Sequence, residues 1–225
     1  SQKINELYKK YREEGKIQNP REDVLKFRHV ADGVLHLNST RVIKKSPFDL
    51  YEVSFAEKEA RKQMFELYTF LKENCEGFEN SVLLASAPEI GVRESRMVEG
   101  LYTLTAEDLK NCVKFDDAIA ACNYDIDIHN PEGSGTSHYY FKPGTYYTIP
   151  YRSLIPMGTD NLLVAGRSIS GTHEAQASYR IMPTCCSIGQ AAGTAAAVAL
   201  QDNVPVPQAD IQKIQGILKK NNAFF

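Results

Sequence analysis

The strongest constraint on the fold lies in eighteen residues, Pro183 to Leu200, whose sequence PTCCSIGQAAGTAAAVAL has no charged side chain and few large ones. The run predicts a long helix that begins at Pro183, since proline is tolerated where a helix has no N–H to pair. Gly189, Gly193 and Ala197 recur every fourth residue, so one face of that helix is nearly bare backbone. Such a face allows something flat or bulky to approach closely. Just upstream, Asn161-Leu-Leu-Val-Ala-Gly166 is a continuous apolar run of the kind expected for a strand covered on both faces. A polar loop and turn link the two.

At 225 residues the chain is long enough to bury a sizeable core. With 26 basic and 28 acidic residues, it carries no electrostatic footprint for nucleic acid or an anionic membrane. No apolar run reaches the roughly 20 residues of a spanning helix, and the charged, amphipathic N-terminal stretch is unlike a signal peptide. The five cysteines lack a C-x-x-C pair, so neither a disulfide framework nor a metal site is indicated. A reducing, cytoplasmic setting follows as the default expectation.

Taken in order, Ile4, Leu7, Tyr8 and Tyr11 predict a short amphipathic helix ended by Gly15, and residues 21–30 another turn or two. A strand is expected over 33–38, with the β-favouring residues 40–43 as its continuation. A helix follows from Ser54, with Glu57 completing a capping box, to about Asn74. Residues 80–87 and 94–102 read as strands, Thr105 and Asp108 as a second capping box, and 115–121 as helix. Residues 124–129 alternate as a half-buried strand. Residues 138–142 and 145–149 flank Pro143-Gly144 as a hairpin. A last helix presents Ile211, Ile214, Ile217 and Leu218 on one side. The expected class is α/β: an N-terminal helical segment over 1–32, an α+β substrate-type domain over 33–150, a strand–helix unit of a Rossmann-like domain over 151–203, and a linker with a helix over 204–225.

The pattern IPYRSLIP, NLLVAGR, THEA, RIMPTC and GQAAGTAAA over residues 146–197 resembles the C-terminal segment of a family of bacterial FAD-dependent oxidoreductases. GVRESRMVEGLYTLTAEDL (91–109) and DAIAACNYDIDIHNPEG (117–133) are also similar to that family, so the resemblance covers about residues 80–200 and, more loosely, 33–80. It implies a two-part flavin-binding domain and hydride or electron transfer through FAD. One departure is large. The pyrophosphate-holding G-x-G-x-x-G is absent: Gly133-Ser134-Gly135 is the one glycine pair at that spacing, and position 138 is His. The resemblance therefore implies a C-terminal portion whose partner is an N-terminal FAD-binding half, with poor FAD affinity by itself.

It also implies a set of site residues. Met182, Pro183, Thr184, Cys185 and Cys186 would begin a helix aimed at the flavin N1/C2 carbonyl. There the N–H groups, with Thr184, Cys185 and Cys186 expected as donors, and about half a positive charge would meet negative charge. Gly166, Arg167 and Ser168 would end a strand against the ribityl or phosphate part. Arg180 and His173, seven residues apart and on one face if helical, could bind an anionic or polyol substrate and move a proton. Arg152, in IPYR, and His129, before the Gly-rich loop, complete the catalytic candidates. Arg93 and Arg96, in RESR, are weaker ones. Each has a plainer reading as helix start, ion pair, solvated arginine or capped histidine. Cys185 and Cys186 suggest a dithiol, but buried cysteines usually act as small apolar residues. A non-catalytic binding or assembly domain that keeps the fold without cofactor is the alternative; a hydrolase lacks any nucleophile motif.

Overall fold

The computed structural model describes residues 2–129 and 136–225, without the side chains of residues 2, 129, 136 and 137. The Gly133-Ser134-Gly135 pair thus lies outside the described residues. The chain divides into two compact units, Ser1–Val92 with His129–Gly135, and Arg93–Ile128 with Thr136–Phe225.

The first unit is built on two helices, α1 (Gln2–Glu13) and, after the strands β1 (Lys26–Arg28) and β2 (Leu35–Leu37), the long α2 (Leu50–Asn74). Tyr8, Ile17, Val24, Leu67, Phe70, Leu71 and Cys75 form its core. The expected turns of helix over 21–30 give way to β1, which pairs antiparallel with β2. Helix α2 begins four residues before Ser54. Asp49 accepts the N–H groups of Tyr51 and Glu52 at 2.8 and 3.1 Å and so supplies the cap assigned to Ser54. Residues 80–87 are not a strand. Val82 and Leu84 are about 70% exposed, and no ladder forms there among the described residues.

The second unit contains α3 (Ala106–Lys110), β3 (Ala118–Cys122), β4 (Ile126–His129), β5 (Thr136–Tyr139), β6 (Tyr147–Pro150), α4 (His173–Tyr179), α5 (Met182–Asp202) and α6 (Ile211–Lys220). The Thr105/Asp108 capping box is present in both directions. Residues 115–121 are expected as helix, but Ala118–Cys122 forms a buried strand antiparallel to β6, because this pairing outweighs alanine's weak helical preference. The hairpin expected about Pro143-Gly144 is only a turn, closed by Thr145 N–H to Lys142 C=O. Its flanks pair elsewhere, β5 with β4 and β6 with β3.

Two further expected strands are irregular extended segments. Residues 94–102 are laced through Val98 N–H to Ser168 C=O and Leu101 N–H to Ile155 C=O, with a one-residue bridge from Gly100 to Pro156. A Cβ on Gly100 would lie 2.7 Å from Ser170 Cβ, so the lacing depends on glycine there. Residues 161–166 hold one such bond, Val164 N–H to Leu154 C=O, and Leu162 is half exposed. An apolar run becomes a strand only where neighbours complete its ladder, and here none does among the described residues. Helices with small antiparallel sheets make the class mixed α/β. Among the described residues, parallel pairing is confined to the bridge Leu104–Gly171.

Candidate functional site

Most of the candidate residues lie on one continuous run, from the turn at Gly166 to the first turn of α5, with Arg152 and His129 outside it. Gly166 has φ +73°, which lets the chain leave the extended segment and make the 3-10 turn Gly166–Ser168. Arg167 is exposed there, and Ser168 lends its carbonyl to Val98. Thr172 then caps α4 by accepting the Ala175 N–H at 3.3 Å. A Cβ on Gly171 would strike the Tyr179 ring at 2.8 Å, which seats α4 close against its own lead-in.

Helix α4 is fixed from below by a buried polar network. Tyr147 Oη lies 2.7 Å from Ser178 Oγ, which also donates to the Tyr124 carbonyl. Burial pushes the Tyr147 and Tyr179 phenols upward in pKa, so both remain protonated. Tyr179 Oη donates to Ile169 C=O at 3.2 Å, and Gln176 Nε2 to Arg93 C=O at 3.0 Å.

His173, Arg180 and Arg152 are each drawn to a carboxylate. His173 Nδ1 sits 2.7 Å from the Glu94 carboxylate. Arg180 caps α4, with Nη2 buried, making no hydrogen bond among the described residues, and 3.6 Å from Asp127 Oδ2. His138 Nε2 approaches the other oxygen of Asp127 at 3.7 Å, so this carboxylate lies between two bases. Arg152 grips Asp117 with two guanidinium bonds, Nε to Oδ2 at 2.9 Å and Nη2 to Oδ1 at 3.2 Å, and lies over the Tyr102 ring. The Asp117 bond raises its pKa further. His173 and Arg180 thus share α4 but turn to different acidic partners. His129 ends β4, and its side chain lies outside the described residues.

Helix α5 starts without a side-chain cap, from Ile181. Cys185 N–H, expected as a free donor, bonds back to Ile181 C=O at 3.0 Å, and the helical ladder takes Cys186 in the same way. Pro183 has no N–H, so Met182 and Thr184 carry the unpaired donors of the first turn. Met182 and Cys186 are exposed, whereas Thr184 is buried. Cys185 is half-buried with Sγ toward the Arg180 carbonyl, and burial pushes its thiol pKa up. The adjacent cysteines therefore have unlike surroundings. The buried face of α5 is Thr184, Ile188, Ala191, Ala195, Val198 and Ala199. Gly189, Gly193 and Ala197 face outward, and a Cβ on either glycine would meet nothing within 4 Å.

No group of acidic, histidine or cysteine side chains able to hold a metal occurs among the described residues, and no described helix is long and apolar enough to cross a membrane. No curated protein and no solved structure gives a significant match. The family model described as FAD dependent oxidoreductase matches residues 1–218, reaching through the N-terminal helices that the motif resemblance had left out. The chain belongs to the FAD-dependent oxidoreductase family.

Proposed function

We propose that this chain contributes the flavin-facing helix terminus and the substrate-side residues of an FAD-dependent oxidoreductase, acting on a small anionic or polyol substrate. The observation that carries this reading is α5. It shows an uncapped first turn and an outward face with no charge before Asp202. Two outward glycines with open space beside them each cost about 1 kcal/mol of helix stability relative to alanine. Among the described residues nothing packs against them. A group that must lie against bare backbone requires them, and the residues present therefore fit a flavin. When bound, FAD supplies the two-electron chemistry.

The chain's own part is binding and electrostatics. The Met182 and Thr184 N–H groups and the helix dipole favour negative charge at the N1/C2 carbonyl edge. Gly166, Arg167 and Ser168 provide a turn for the ribityl or phosphate portion. Arg180, with its buried Nη2, attracts an anionic substrate group, and His173 exchanges a proton. The rest of the α5 face packs against a second FAD-binding element that carries the pyrophosphate loop. By itself this chain holds FAD weakly. A non-catalytic assembly domain is the second reading, supported by Arg152, whose guanidinium is already matched to Asp117.

Protein made from the complete coding sequence tests the first reading. It is expected to purify yellow, with flavin absorbance, and Gly193→Leu is expected to reduce FAD retention at least about 100-fold while the far-UV circular dichroism is unchanged. Colourless wild-type protein, or a fully loaded Gly193→Leu variant, overturns it.

A further inference from the structure

We infer that Glu94 is the positioning residue for His173, holding its neutral ring with the proton on Nδ1 and leaving Nε2 as the proton acceptor. The inference rests on the proposed oxidoreductase reading for its role in turnover, and on geometry alone for the tautomer. Both carboxylate oxygens of Glu94 lie 2.7 Å from His173 Nδ1. An ionised carboxylate can only accept, so Nδ1 must carry the hydrogen. In neutral imidazole the lone pair then falls on Nε2.

The pair is more than a chance surface contact, because the strand-like segment bearing Glu94 is tied to the turn and helix bearing His173. Gln176, one turn along α4 from His173, donates to the Arg93 carbonyl at 3.0 Å, next to Glu94 in the chain. Tyr179 Oη reaches Met97 Sδ at 3.4 Å, and Val98 N–H bonds to Ser168 C=O at 3.1 Å. These ties set the distance between ring and carboxylate. The His173 side chain is 41% exposed, so the ring's far edge remains open to a ligand. In the step this allows, Nε2 would accept the O–H or N–H proton of the substrate group, the hydride from its adjacent C–H would be taken up by FAD as the oxidant, and Nδ1–H would stay hydrogen-bonded to Glu94. The imidazolium so formed is balanced by the Glu94 charge, as a carboxylate-oriented histidine requires.

Long-range ¹H–¹⁵N spectra of the histidine-labelled chain above the histidine's titration read the tautomer directly. Wild type is expected to show His173 with a protonated Nδ1 and a lone pair on Nε2, Glu94→Asp to keep that signature, and Glu94→Ala to move the proton to Nε2. A wild-type ring protonated on Nε2, or a Glu94→Ala spectrum identical to wild type, overturns the inference. In the FAD-loaded protein, Glu94→Ala is expected to lower kcat about tenfold or more with KM little changed, and an unchanged kcat overturns the catalytic part. Loss of FAD binding in wild type would sink the oxidoreductase reading while leaving the tautomer result standing.

Discussion

Helix α2 meets its surroundings largely with lysines, glutamates and an arginine, whereas α5 meets them with glycine, alanine and a methionine. In α2 the outer charges pair along the helix, Arg61 with Glu57 at 3.3 Å and Lys62 with Glu59 at 3.6 Å. Lys45 lies over the exposed Phe55 ring. Asp49 caps its start, and only a narrow stripe from Ala56 to Leu71 is buried. In α5 there is no cap, no charged residue before Asp202, and an exposed line through Met182, Gly189, Gly193 and Leu200. Two helices of similar length thus differ in what their outer faces are made for. The charged positions of the first suit water, with each surface pair adding only a few tenths of a kcal/mol, although Leu50, Tyr51, Phe55 and Phe65 are exposed on the same helix. The second leaves its helix-stabilising options unused, as expected where the outer face belongs to a ligand or a further layer of protein.

The comparison can be broken most sharply from the inner face of α5. If that face alone anchors the helix, Ile188→Ala, at a fully buried position, should cost about 3 kcal/mol in urea denaturation. A loss below about 1 kcal/mol would mean that the inner packing is loose and the outer face is not the exceptional one.

A second contrast separates the units themselves. Tyr8, edge-on to Phe70, is fully buried with no partner for its hydroxyl among the described residues, while Tyr151 Oη donates to the Val206 carbonyl at 2.7 Å. Burial raises both phenols from 10.0 to about 12. An unfolded tyrosine ionises near pH 10. The fold's preference for the neutral phenol is therefore fully present below that pH and is lost as pH rises through 12. Stability should fall between pH 10 and 12, and each Tyr→Phe variant should recover about 1 kcal/mol at pH 11. At pH 7 the two part company. Tyr151→Phe loses a hydrogen bond, about 1 kcal/mol, whereas Tyr8→Phe is neutral or gains by removing an unsatisfied hydroxyl. Equal losses at pH 7 would show that Tyr8 is bonded after all.

At the α2 end, Asp49→Ala should cost about 1 kcal/mol in thermal melts of the chain. No change would place the true cap elsewhere and remove one half of the contrast.

The same contrast governs what could be read from sequence. The long helices announced themselves through period, which is local, and the Thr105/Asp108 box and the run of small residues lay within a few positions of their cause, although the cap expected at Ser54 is Asp49 and no helix forms over 21–30. Strands were legible only in part: 33–38, 124–129 and 145–149 hold β2, β4 and β6. Residues 80–87 and 161–166 carry the right side chains but have no ladder partner among the described residues, while Ala118–Cys122 carries helix-forming alanines and has one in β6. Site residues followed the same rule. Motif order located α4 and the start of α5, yet the carboxylates that hold His173, Arg180 and Arg152 stayed hidden. Glu94 lies 79 positions from His173, and no spacing rule spans such a distance. In sequence, Asp127 is only the polar side of an alternating strand, and Glu94 a residue between Arg93 and Arg96.

The gentlest test is also the most discriminating. Gly189→Ala adds one Cβ where nothing lies within 4 Å, so in the chain alone it should raise stability by about 0.5–1 kcal/mol through helix propensity. The melting temperature should rise by a few degrees. In FAD-loaded protein the same methyl would stand on the face reserved for close approach, and FAD retention should drop. Stabilisation with loss of FAD separates what the helix needs from what its outer face is kept for. A lowered melting temperature would mean that this face already packs against the chain. Raised stability with FAD fully retained would mean that the glycines serve no close approach, and α5 would then differ from α2 in composition alone.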